Sequence, residues 1–182
     1  ASSTGLFKYE NNILTKITQT EEEIKHLTFY DKNHLFYITS TGISLLDIST
    51  SKSRLIYPND TKDFRQIASL YYDEQLNRLW IGTGAAGLFY YDIIKKTLSS
   101  IPLKGFPKQP ILAIKKDINN TLLIGIDGQG IWNISEKGDK LLNIYKEDLN
   151  NPFSLRGDGV YDIFCDKSRN WVATYTGKLS FF

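Results

Sequence analysis

The residues that could perform chemistry in this sequence are few, and their spacing argues against catalysis. Residues 82–87 (GTGAAG) fit the GxGxxG pattern of a dinucleotide-binding loop. That fingerprint requires a helix directly after the glycines, whereas these glycines fall in a predicted turn between two strands. Residues 127–130 (DGQG) also indicate a turn, because they lack the spacing and the final Glu of a calcium-binding EF-hand loop.

Metal ligands and nucleophiles are equally scarce. His26 and His34 fall on different predicted strands, and no third ligand accompanies them. Cys165 is the only cysteine, so the chain can form neither an internal disulfide nor a cysteine-based zinc site. The apolar strand around this thiol is typical of a small buried hydrophobe. No Ser-His-Asp arrangement can be argued, so we expect no catalytic residue, no metal and no cofactor in this segment.

Composition narrows the choice of partners. Charged residues make up 23% of the 182 residues, and the formal net charge is +2. Because the basic residues are scattered, we expect neither a nucleic-acid partner nor direct membrane contact. No apolar run approaches the roughly 18–20 residues of a membrane-spanning helix, and we expect no signal peptide within these residues. Methionine is absent even at position 1, which suggests an excised or processed piece of a longer protein.

The elements that position these residues form an internal repeat. Four segments share an apolar strand ending at Asp, a short polar turn, a second apolar strand, and a Gly that opens a third strand. The strand-ending aspartates are Asp31, Asp73, Asp117 and Asp166. The second strands carry anchors 44, 43 and 48 residues apart, namely Phe36, Trp80, Leu123 and Trp171. The glycines are 45, 43 and 47 residues apart, namely Gly42, Gly87, Gly130 and Gly177.

A repeat of about 40–50 residues with four short strands has the size of a propeller blade. The second repeat predicts strands near 67–73, 78–83, 87–94 and 97–102. We therefore predict an all-β fold, a β-propeller fragment of four-stranded antiparallel blades, three complete and two partial. The predicted limits are a partial blade at 5–17, blades at about 24–57, 64–102 and 109–145, and a partial blade at 156–182. A four-blade ring with shared ends is the alternative to a fragment of a larger propeller.

The recurring residues have structural roles in such a fold. Each strand-ending Asp can accept hydrogen bonds from backbone N–H groups two residues on and hold a hairpin turn. The glycines provide positive φ or close backbone approach. Trp80 and Trp171 are expected to pack between blades. The four aspartates are therefore poor candidates for catalytic acids.

Two repeats carry a more specific pattern. Residues 150–155 (NNPFSL), 160–166 (VYDIFCD) and 170–174 (NWVAT), followed by Gly177, resemble the two-component-regulator propeller repeat. Residues 79–83 (LWIGT), followed by Gly87-Leu88 and Tyr91-Asp92, resemble it as well. The first and third repeats depart from the pattern, because Phe36 and Leu123 stand in place of Trp.

The resemblance implies the periplasmic sensor region of a hybrid two-component system, that is, the extracytoplasmic part of an inner-membrane protein. Such regions typically bind glycan fragments and continue into an immunoglobulin-like domain, a membrane helix, a histidine kinase and a DNA-binding regulator. The implied partners are an oligosaccharide, the remaining propeller blades and the immunoglobulin-like domain of the parent chain, with homodimerisation left open. Kinase activity and DNA binding would belong to the parent protein.

Ligand contacts are expected on the face lined by the loops between second and third strands and the loops that join blades. A glycan site needs exposed aromatic rings that stack on sugars and planar polar groups that bond hydroxyls. The candidate ligand-binding residues in these loops are Arg65, Asp127, Gln129, Arg156, Asp158 and Tyr175.

Three functions remain open at this point. The first is a non-enzymatic sensor of glycan fragments, the second a non-catalytic scaffold for protein–protein interaction, and the third a propeller lyase or glycosidase. The enzyme would need convergent acid and base residues, for example around Asp127. The repeat pattern favours the sensor, and this preference rests on the family resemblance because a fold alone does not determine function.

Overall fold

The computed structural model describes residues 5–18, 22–59, 66–175 and 179–182. All the regular secondary structure in these residues is β-strand, which confirms the predicted all-β class. The strands form five antiparallel sheets, and within each sheet every strand pairs with its neighbour in sequence. Among the described residues there is no helix that is long and apolar enough to cross a membrane.

The five sheets follow one another along the chain. The first is a hairpin of β1 (Leu6–Glu10) and β2 (Ile13–Thr18). Blade 1 contains β3 (His26–Phe29), β4 (His34–Ile38), β5 (Gly42–Asp47) and β6 (Lys52–Pro58). Blade 2 contains β7 (Ile67–Asp73), β8 (Arg78–Thr83), β9 (Leu88–Asp92) and β10 (Thr97–Ser100). Blade 3 contains β11 (Ile111–Lys116), β12 (Leu122–Ile126), β13 (Gly130–Ile134) and β14 (Leu141–Tyr145). The last sheet, blade 4, contains β15 (Val160–Cys165), β16 (Asn170–Thr174) and β17 (Leu179–Phe181).

The arrangement confirms the prediction of three complete and two partial propeller blades. The first strands of consecutive blades, β3, β7, β11 and β15, lie against one another in turn. Apolar side chains fill the space between consecutive sheets: Phe36 packs with Ile67 between blades 1 and 2, and Leu123 packs with Val160 between blades 3 and 4. Stacking neighbours in this way buries the two apolar faces that a single blade could not bury alone.

The strand-ending aspartates hold the hairpin turns, as predicted. Asp166 Oδ1 accepts hydrogen bonds from the backbone N–H groups of Ser168 at 2.7 Å and Arg169 at 2.8 Å. The other three aspartates make equivalent bonds two and three or four residues on, at Asp31, Asp73 and Asp117. The same type of Asp turn follows the third strands of blades 1 and 2, at Asp47 and Asp92.

The third-strand glycines adopt the predicted backbone. Gly87 has φ +91° and Gly130 has φ +70°, values that favour glycine. A Cβ on Gly130 would also collide with the backbone carbonyl of Tyr145. Gly177 lies outside the described residues.

The two repeat tryptophans have different surroundings. Trp80 is fully buried against Ile111 and Ile114 of blade 3, as predicted for a residue between blades. Trp171 lies on the face of blade 4 that no other described sheet covers, so its packing between blades stays a prediction. There Trp171 packs on Phe181 with ring centroids 5.3 Å apart, and its Nε1–H donates to Asp166 at 2.9 Å.

Candidate ligand-binding rim

One end of the blades carries the turns between second and third strands and the segments that join consecutive blades. Three equivalent backbone hydrogen bonds close this end: from Gly84 N–H to Gln66, from Asp127 N–H to Pro110, and from Tyr175 N–H to Gly159, at 2.8, 2.9 and 2.8 Å. In each bond the residue after a second strand donates to the residue before a first strand. We call this end of blades 2–4 the upper rim, and the end with the aspartate turns the lower end.

Two of the sequence-predicted residues, Asp127 and Tyr175, meet at the upper rim. They flank Gly159, where an added Cβ would lie 3.2 Å from Tyr175 Cβ and 3.4 Å from Asp127 Oδ1. The Tyr175 side chain is 76% exposed, so its ring is accessible from solvent. The Asp127 carboxylate accepts no hydrogen bond from the described residues. This pair therefore combines an aromatic face with a free acceptor for a ligand hydroxyl.

A second exposed tyrosine, Tyr161, enlarges the aromatic face. Its ring stacks on Tyr175 with centroids 5.8 Å apart and an interplanar angle of 22°, and it remains 52% exposed. Tyr161 is the extra residue of a β-bulge in the first strand, and bulges recur at the same place in blades 2 and 3, at Ala68 and Leu112. Tyr161 is not among the sequence-predicted residues because nothing in a single sequence marks a bulge, although its place in the repeat matches Ala68 and Leu112.

The neighbouring part of the rim contains an open apolar groove of about 580 Å³. It lies between blades 2 and 3 and is lined by Gln66, Ala68, Gly84, Ala85, Pro110 and Leu112. Its volume falls within the range of roughly 300–1,000 Å³ for small-molecule sites. Leu112 and Tyr161 occupy equivalent bulge positions on the adjacent strands β11 and β15.

The remaining predicted residues have other contacts or lie outside the description. Asp158 Oδ1 accepts the Glu147 N–H at 2.7 Å, and Arg156 Nη2 donates to the Pro152 carbonyl at 2.7 Å, so both stabilise the segment between blades 3 and 4. Gln129 Oε1 accepts a hydrogen bond from Lys146 Nζ at 3.1 Å. Arg65 lies outside the described residues. The role of all six residues in ligand binding stays a prediction.

Two groups near the rim and between the first strands, Glu22 and His26, have shifted pKa values. Hydrogen bonds from Thr39, Ser40 and Thr41 lower the pKa of Glu22 beside the turn between β4 and β5 of blade 1. Burial and the nearby Lys115 ammonium lower the pKa of His26, while the Asp162 carboxylate opposes this effect. His26 Nδ1 accepts the Leu70 N–H at 3.4 Å, a bond that the neutral imidazole makes.

Metal and thiol chemistry gain no support from the geometry. No group of three His, Cys, Asp or Glu side chains within residues 5–18, 22–59, 66–175 and 179–182 could hold a metal ion. Burial raises the pKa of the Cys165 thiol to about 11, which disfavours the reactive thiolate.

Comparison with known proteins gives matches at the level of fold. No family model matches the sequence, and no curated protein sequence matches it. The chain is similar to the extracellular domain of BT4673 from B. thetaiotaomicron, with 23% identity and a TM-score of 0.76 over 98% of this chain. That protein is described as a one-component system in one structure and as a hybrid two-component system in another.

Two further structures share the fold. The extracellular domain of BT3049 from B. thetaiotaomicron, a hybrid two-component system, has a TM-score of 0.59 and 19% identity over 97% of this chain. The computationally designed Ika4 protein has a TM-score of 0.65 and 15% identity, over 92% of this chain and 97% of its own. This chain spans 24–25% of the BT4673 domain and 28% of the BT3049 domain. These likenesses establish the fold.

Proposed function

We propose that the chain is a non-enzymatic ligand-recognition portion of an extracytoplasmic receptor of the two-component type, and that it binds glycan fragments at the upper rim. The observation that carries the proposal is the stacked, exposed pair of Tyr161 and Tyr175 beside the Asp127 carboxylate, which accepts no hydrogen bond from the described residues. Sugar rings present C–H faces that stack on such tyrosines and hydroxyls that donate to a carboxylate.

The wider context supports the same proposal. The repeat pattern resembles two-component-regulator propellers, and the fold matches extracellular domains of two such systems. In this reading the chain lies in the periplasm, and its signal passes through an immunoglobulin-like domain and a membrane helix of a parent histidine kinase.

A second candidate is a non-catalytic propeller scaffold for protein–protein interaction, which is favoured by a face of blade 4 that no other described sheet covers. Phe164, Leu179 and Phe181 on this face are 63%, 63% and 55% exposed. The equivalent faces of blades 1, 2 and 3 are each covered by the following sheet. Contiguous exposed apolar side chains of this kind mark interaction surfaces.

Calorimetric titration with defined plant, host and microbial oligosaccharides tests the first proposal, with product analysis of each mixture for cleavage. We expect binding of one sugar class without turnover. Cleavage of the bound sugar would overturn the non-enzymatic reading. No binding by the chain or by an intact extracellular region would favour the scaffold.

A further inference from the structure

Blade 2 and blade 4 share a three-residue unit that blade 3 lacks. In blade 2 the Arg78 guanidinium lies 4.3 Å from the centroid of the Tyr90 ring, which packs on Trp80 at 5.5 Å. In blade 4 Arg169 lies 4.7 Å from the Phe181 ring, which packs on Trp171 at 5.3 Å. Strand pairing places these residues at matching positions, because Trp80 opposes Tyr90 as Trp171 opposes Phe181.

The same three positions of blade 3 hold much smaller residues. Leu123 replaces the Trp, and the residue opposite it is Asn133. Thr121, which precedes β12 and follows the Asp117 turn, stands where blade 2 has Arg78. Two large rings and a guanidinium are thus replaced by an isobutyl group, an amide and a hydroxyl. The face of blade 3 that lies toward blade 4 consequently has unfilled space.

That space is a cavity of about 300 Å³ at the lower end, between blades 3 and 4. Blade 3 contributes Asn119, Thr121, Asn133 and Tyr145 to its wall, and blade 4 contributes Ser168 and Asn170. Asn133 is 9% exposed, and its Oδ1 atom is buried without a hydrogen-bond partner among the described residues. Thr121 Oγ1 is also buried and has no hydrogen-bond partner among the described residues. Both orphaned oxygens thus belong to positions where the three-residue unit has been replaced.

The charged groups of the wall are already engaged. Asp117 Oδ1 accepts the N–H groups of Asn119 at 2.9 Å and Thr121 at 2.8 Å, so this carboxylate holds its turn. The Arg169 guanidinium lies over the Phe181 ring. The rest of the wall offers neutral amides and hydroxyls, together with the Ile118 side chain and the stacked rings of Tyr145 and Phe182. Because buried polar atoms without partners cost free energy, a ligand that donates to them is favoured.

We infer that this cavity is a binding site for one neutral, hydroxyl-rich ring of monosaccharide size. Ligand hydroxyls bond the side-chain amide of Asn133 and the hydroxyl of Thr121, while Asn119, Ser168 and Asn170 bond the rest of the ring. The volume lies at the lower limit of small-molecule sites, which suits a single ring and excludes an extended oligosaccharide. The site is separate from the upper rim, at the opposite ends of the strands, and its existence is independent of the glycan proposal for that rim.

Protein-observed NMR titration with glucose, galactose, mannose and xylose tests the inference, with glucuronate as a charged comparison. A single ring with few contacts predicts a dissociation constant on the order of 1 mM for at least one neutral sugar. Asn133→Ala, which keeps the space and removes the acceptor, should weaken binding by about tenfold. Asn143→Ala, on the exposed neighbouring strand, is the matched control and should leave the affinity unchanged.

A second variant fills the cavity. Leu123→Trp combined with Asn133→Tyr restores the aromatic pair of blade 2 and should abolish monosaccharide binding in a folded protein. Tyr175→Ala, at the rim, should leave it intact, so failure at one site is distinguishable from failure at the other. Absence of binding by any neutral monosaccharide, or full binding by the Asn133→Ala variant, would overturn the inference.

Discussion

The Lys116 ammonium of blade 3 lies 3.1 Å from the Asp73 carboxylate of blade 2. It also lies 2.6 Å from Glu136 Oε1 and 2.8 Å from Gln75 Oε1. Burial alone would lower the pKa of Lys116, but its bonds to Glu136 and Asp73 raise it above the usual lysine value. The cluster therefore joins two blades at the lower end through a fully charged, buried cation.

Loss of this cation is expected to destabilise the fold. In Lys116→Met the Asp73 carboxylate, whose side chain is 1% exposed, keeps its turn but loses its counter-charge. Removing one partner of a buried ion pair should lower the free energy of unfolding by about 3 kcal/mol. Urea unfolding measures the change. Lys95→Met is the control, because Lys95 is 76% exposed and 3.9 Å from Asp92, so its loss should matter little. Equal effects of the two changes would contradict the account.

Close approach of neighbouring blades at Gly82 predicts a second effect. A Cβ at this position would lie 2.7 Å from Ile111 Cγ2 of blade 3 and would strike Ser69 Oγ. Ser69 donates across the blade interface to the Ile111 carbonyl at 2.7 Å. Gly82→Ala should therefore lower stability by about 1–3 kcal/mol through overpacking.

Gly125→Ala repeats the experiment one blade further on. There the added Cβ would lie 2.7 Å from Val160 Cγ1, so a comparable loss is expected. Thermal and urea unfolding of both variants measure it. Unchanged midpoints in both would show that the blades do not pack as closely as described.

His26 predicts how stability depends on pH. Its pKa is lowered in the folded state, so the unfolded chain binds the proton more readily near its ordinary value of 6.5. Stability should therefore be fully present above pH 6.5 and decrease as the pH falls through and below that value. Urea midpoints between pH 7.5 and 5.5 measure the slope, and His26→Gln should reduce it. Increasing stability of the native chain over the same fall in pH would have the wrong sign.

Much of the fold could be predicted from the sequence because the repeat is encoded in local residues. The aspartate turns depend on backbone groups only two to four residues away, and the third-strand glycines depend on local φ angles. Both kinds of feature are legible in one sequence. The packing of Trp171 between blades stays a prediction, because it depends on a neighbouring sheet that the described residues do not include.

The candidate site was less accessible to sequence reasoning. Asp127 and Tyr175 were found because they follow second strands, where loops of a propeller converge. Tyr161 was missed because its exposure results from a β-bulge. The cavity of blade 3 had a sequence signal, the replacement of Trp by Leu123, but its orphaned oxygens appear only once strand register pairs Leu123 with Asn133.

The measurement that tests the central claim most directly compares two tyrosine variants in a calorimetric titration with the oligosaccharide that the native chain binds. Tyr175→Ala removes the exposed ring that stacks on Tyr161. Stacking of a sugar on such a ring contributes on the order of tenfold or more to the affinity. Tyr9→Ala removes a ring of similar exposure, 69%, on the first hairpin. The account predicts that Tyr175→Ala weakens binding at least about tenfold while Tyr9→Ala leaves it unchanged. Unchanged binding by Tyr175→Ala would contradict recognition at the upper rim.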